Sequence, residues 1–186
     1  MTKQFEHGIE DVVGIDRSAS DVDYGELHRA EHRAHEIAGA IYGTILATTV
    51  VAAISHDPEL LQEAILVVVG TSAVFFAAHV YSLIVAARMV AGRRLTRREV
   101  RTIATEEWPM LQSSWPIIVA LLLGKLGWIS ETAAIDLAMA VGIGALFFYG
   151  VILGVREGKG RLNVLLNALI VGAFGLLILA LKILVH

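Results

Sequence analysis

The 186-residue chain contains no cysteine. Disulfides, thiolate metal sites and cysteine nucleophiles are therefore excluded, and the redox compartment leaves no trace in the sequence. Proline is scarce, with three residues in the whole chain, so few positions can break a helix. Neither GxGxxG nor a GxxxxGKS or GxxxxGKT loop occurs, and no Ser-His-Asp order stands out. The nucleotide-binding and hydrolase signatures are thus missing, and the chain is not expected to be an enzyme. A basic excess is missing too: the formal net charge is -3, and no nucleic-acid partner is expected. The opening MTKQFEHGIEDVVGID has neither the basic nor the apolar region of a cleaved signal. The first apolar span is expected to act as the insertion signal.

Apolar residues dominate what is present. They make up 56% of the chain with a mean hydropathy of +0.67, against roughly 45 to 50% in soluble domains. The expected fold class is all-α, a polytopic membrane helix bundle with five transmembrane helices. The spans are expected at about 37–55, 64–87, 108–128, 137–155 and 162–183, each close to the roughly 20 residues that cross a hydrocarbon core. Charge in the connecting loops orders them. Arg88, Arg93, Arg94, Arg97, Arg98 and Arg101 follow the second run, and Arg156, Lys159 and Arg161 follow the fourth. Asp57, Glu59 and Glu63 follow the first run, and Lys125, Glu131 and Asp136 follow the third. By the positive-inside rule the N-terminus is expected in the cytoplasm and the C-terminus outside, in the inner (plasma) membrane.

Residues 1–22 read as a flexible acidic cytoplasmic tail, polar and without a sustained period. Asp23 and Glu26 have the spacing of a capping box, and residues 23–186 form the expected membrane domain. HRAEHRAHE then runs without glycine pair or proline into IAGAIYGTILATTVVAAIS, so the first span is expected to be continuous with a cytoplasmic N-terminal helix.

Two groups of side chains carry chemical potential. His28, His32 and His35 fall within an arc of roughly 60° on a helix. With Glu36 they are the expected metal ligands for a divalent ion such as Zn, Ni or Fe. A pH-dependent charge near the membrane, or a solvated helix with incidental histidines, accounts for the same pattern. His79 lies well inside the second run. An ionisable group there is costly unless it faces the bundle interior. Ser72 and Ser82 share its helix, and Thr44 and Thr48 line the first span. Facing one another, these five would form a polar seam for a proton or small cation; the alternative is a neutral histidine tying two helices together.

At the third run, Trp108 and Pro109 read as an interfacial anchor and a first-turn proline. Pro116 is expected to kink the helix and free the Gln112 carbonyl. Rows of small residues, Gly39, Gly43 and Ala47 on the first span and Gly142, Gly150 and Gly154 on the fourth, allow close helix approach within the chain or between subunits. The function expected from these features is a small ion channel or permease, likewise a homo-oligomer in the lipid bilayer acting on a small ion or solute. The alternative is a non-transporting scaffold or sensor whose histidine helix binds a divalent metal or a partner.

Overall fold

The computed structural model describes residues 24–53, 61–158 and 160–185, with side chains described over 33–53, 61–158 and 160–184. All regular structure among the described residues is α-helical. The helices are α1 (Tyr24–Ala53), α2 (Leu61–Ala91), α3 (Arg97–Glu106), α4 (Trp108–Gln112), α5 (Trp115–Lys125), α6 (Glu131–Arg156) and α7 (Arg161–Val185). The chain divides into two units, Met1–Ala34 and His35–His186. The described part of the first is helical backbone from Tyr24. The expected tail at 1–22 and the expected cap at Asp23 lie outside the described residues.

Among the described residues, four helices are long and apolar enough to cross a membrane: Arg33–Ala53, Leu61–Ala91, Glu131–Arg156 and Arg161–Leu184. Their outward faces carry large apolar side chains, among them Leu66, Val74, Phe148, Leu162 and Ile170. In water such a surface would drive aggregation, whereas hydrocarbon solvates it. The interior is built from smaller or branched residues. Ala47, Val51, Leu61, Val68, Ile117, Leu121, Ile135 and Ala138 form one buried cluster drawn from α1, α2, α5 and α6.

The third apolar run is two helices. Pro116 has no N–H for the Gln112 carbonyl, and α4 ends at Gln112. Ser113 and Ser114 form the turn with helical dihedrals (φ -64°, ψ -20° and φ -78°, ψ -15°). Their hydroxyls donate back to the carbonyls of Met110 at 2.8 Å and Leu111 at 2.7 Å, so the break leaves few polar groups bare. Gln112 is exposed, while Ser113 and Ser114 are buried. The bend thus turns its serines inward.

Small residues are used inside the protomer. A Cβ built on Gly43 would overlap the Met110 carbonyl oxygen and Ser113 Oγ, and one on Gly142 would overlap Thr48 Oγ1. One on Gly150 would lie 2.6 Å from the Ala168 Cα. α1 therefore crosses the α4–α5 bend and α6 at glycine contacts, and α6 packs on α7 the same way. Gly158 and Gly160, at φ 65° and 96°, supply the left-handed backbone that reverses the chain between α6 and α7.

The arginine-rich connection contains a helix that hydropathy does not reveal. Thr96 caps α3 by accepting from Glu99 N, and the Glu99 side chain accepts from Thr96 N in return. This reciprocal box satisfies two backbone donors. T-R-R-E is its sequence signature.

Candidate functional site

Glu107 separates α3 from α4 and serves as cap residue to both. It sits between two helices, with Pro109 two residues on in the first turn of α4, and its side chain is turned into the protein. The residue is 3% exposed. A carboxylate so enclosed needs hydrogen-bond donors or a neutralising charge. Two histidines from different helices supply them. His35 Nε2 on α1 lies 2.5 Å from Glu107 Oε1, and His79 Nε2 on α2 lies 3.2 Å from Oε2. Each carboxylate oxygen therefore faces one imidazole. The histidine side chains are 53% and 40% exposed, so each ring also opens to the outside of the protein.

The surroundings follow from local packing. Gly39 on α1 lies beside the carboxylate, where a Cβ would be in ordinary contact, 4.0 Å from Glu107 Oε2. Tyr42, one turn further along α1, places its ring 6.2 Å from that of His79 at 31°. Phe76 on α2 meets Trp108 edge to face at 6.0 Å, a favourable aromatic arrangement. It pins the residue next to Glu107 against α2.

The histidines also share a depth. His35 is 18 residues from Ala53, the end of α1, and His79 is 18 residues from Leu61, the start of α2. At 1.5 Å per residue both lie about 27 Å from the end of the bundle where α1 and α2 are joined. Matched depth is what lets one carboxylate reach both rings.

Chemically the cluster can hold and pass a proton. Glu107 pairs through a hydrogen bond with His35 Nε2, and His79 Nε2 stands at ion-pair distance from the other oxygen. With both rings neutral and Glu107 ionised the triad carries one negative charge; one added proton neutralises it.

The other expected site residues are dispersed. Thr44 and Thr48 are fully buried and donate to the carbonyls of Ala40 and Thr44 at 2.8 and 2.7 Å, with Thr48 packed on Gly142. Ser72 is buried on α2. Ser82 is exposed and donates to the His79 carbonyl at 2.7 Å. The geometry groups none of these with the His79 ring. Of the histidine helix, His35 turns to Glu107, Glu36 is half-buried, and the side chains of His28 and His32 lie outside the described residues. Among the described residues, no group of three or more His, Asp or Glu is arranged to hold a metal ion. Glu107, at the start of the third apolar run, is not among the expected site residues. Its signal was available: an acid at the head of an apolar run, with histidines at equal depth on the two runs before it.

No known protein family, curated protein or solved structure matches the chain.

Proposed function

We propose that the chain is a five-span inner-membrane protein that conducts protons or small cations, with Glu107, His35 and His79 as the ion-handling group at its cytoplasmic side. The observation that carries this reading is the buried carboxylate shared by two histidines from different helices. Ionisable groups are expensive inside a bilayer and, as a rule, mark ion pathways. Thr44, Ser72 and Thr48 extend the path as buried hydroxyls, about 13, 16 and 8 Å from the α1–α2 end of the bundle. Thr44 and Thr48 can still accept a hydrogen bond while donating to a carbonyl.

The residues from Trp108 to Lys125 serve as the remaining span. At 1.5 Å per residue they cover about 27 Å, and the helical dihedrals of Ser113 and Ser114 keep the path continuous. The arginine-rich connections lie in the cytoplasm by the positive-inside rule. The small-residue rows are occupied within the protomer, so a homo-oligomer uses the large apolar outer faces instead. Ion flux into liposomes carrying the purified protein, lowered in Glu107→Gln, is the test.

Half-exposure of His35 favours one other reading. In it the protein transports nothing and is a scaffold or sensor whose helix, through His28, His32, His35 and Glu36, binds a divalent metal or a partner. Calorimetric titration of Zn or Ni against wild type and the triple alanine variant of the three histidines separates the two; equal heats remove the metal version.

A further inference from the structure

A cleft of about 650 Å³ opens between the last turns of α2 and the helix α3. Val90, Ala91, Leu95 and Ile103 form its apolar walls, with Arg98 and Thr102 among its polar lining residues. Val90 is 91% exposed, so the apolar wall stands open rather than packed. The segment from Arg88 to Glu106 carries six arginines against only Glu99 and Glu106. One of the six is internally committed: Arg93 grips Glu99 at 2.7 and 3.1 Å. This clamp ties the loop to α3 and neutralises the one acid that lines the cleft. Positive charge from Arg98, reinforced in sequence by Arg94, Arg97 and Arg101, is left facing outward beside an apolar trough.

We propose that this cleft binds one anionic phospholipid, with its phosphate at the Arg98 guanidinium and the start of an acyl chain along Val90, Ala91 and Ile103. The pairing of chemistry argues for a lipid over a free anion. Phosphate alone would use the arginine and leave the exposed apolar wall uncovered; a neutral lipid would cover the wall and leave the positive charge uncompensated. An anionic lipid satisfies both. The position fits as well, since clustered arginines immediately beyond a membrane span attract acidic headgroups. The proposal rests on the membrane reading of the four apolar helices and not on transport.

Native mass spectrometry of the full-length protein in nonionic detergent tests it, with dioctanoyl phosphatidylglycerol as probe, dioctanoyl phosphatidylcholine as the zwitterionic control and inorganic phosphate as competitor. One phosphatidylglycerol should be retained at least tenfold more tightly than phosphatidylcholine. Arg98→Gln should weaken it about fivefold, as expected for one surface base. Val90→Asn, at a position too exposed to disturb the fold, should weaken it as well. The pair Arg156→Gln and Arg161→Gln, on a different connection, should leave it unchanged. Equal retention of the two lipids overturns the proposal, as does displacement of phosphatidylglycerol by equimolar phosphate. It is also overturned by wild-type binding in both cleft variants, or by an equal loss in the remote arginine pair.

Discussion

Glu107 Oε1 and His35 Nε2 lie 2.5 Å apart although 72 residues separate them in sequence. The contact joins α1 to the head of α4, and His79 brings α2 to the other oxygen of the same carboxylate. Three helices therefore converge on one buried carboxylate. A buried acid of this kind is a poor stabiliser by itself, because desolvation opposes the attraction it gains.

The crossing of α1 over the α4–α5 bend depends on the absence of a side chain at Gly43. Gly43→Ala forces its methyl against the Met110 carbonyl, a backbone atom that cannot rotate away. Thermal unfolding in detergent should register a loss of roughly 1–3 kcal/mol, the usual cost of overpacking. Gly144→Ala is the matched control, since its Cβ would meet nothing within 4 Å; it should be neutral or slightly stabilising. Equal effects at the two positions would contradict the packing described.

Gly142 and Thr48 should be coupled. A Cβ on Gly142 overlaps Thr48 Oγ1, so Gly142→Ala alone is destabilising. In Gly142→Ala combined with Thr48→Ala the obstructing hydroxyl and methyl are gone. A double-mutant cycle should give a favourable coupling of roughly 0.5–3 kcal/mol, the range for residues in contact. Additive effects would mean that the two helices do not meet there.

Glu99 should titrate abnormally. Arg93, together with the Thr96 backbone and hydroxyl, holds its carboxyl down to about 2, against an ordinary 4.5. Because the folded value is depressed, the interaction contributes fully above the ordinary carboxylate value and is lost as pH falls through about 2. Carboxyl carbon NMR should follow that low transition in the wild type. In Arg93→Gln it should move back toward 4.5, and a midpoint unchanged by that substitution would show that the clamp does not form.

Much of the architecture was legible in the sequence. Runs of apolar residues mark the bodies of the four long helices, because solvation by lipid leaves a compositional imprint along the span, although α1 and α6 begin well before their runs, at Tyr24 and Glu131. The bend before Pro116 was legible too, since a missing N–H has a local consequence. What remained hidden depends on how helices rotate against one another. Periodicity assigns His79 to a face of α2, and it assigns Thr44 and Thr48 to a face of α1, but it does not say that the faces meet. In the structure Thr48 meets Gly142 instead, and His79 meets an acid from beyond the next connection. His28, His32 and His35 share a helix face in sequence, yet His35 is engaged with Glu107. The helix α3 escaped notice for a different reason: its arginines suppress the hydropathy signal, and only the Thr96–Glu99 spacing announces it.

The most direct test of the account is ion flux through the full-length protein in liposomes, read with a pH-sensitive dye and repeated with a panel of cations under an imposed potential. Wild-type protein should give flux above empty liposomes, and Glu107→Gln, which keeps the shape of the side chain but cannot take up a proton, should reduce it at least tenfold. His79→Ala should reduce it as well. No flux for any ion, or wild-type flux in Glu107→Gln, would contradict the assignment of Glu107 and its two histidines to an ion path.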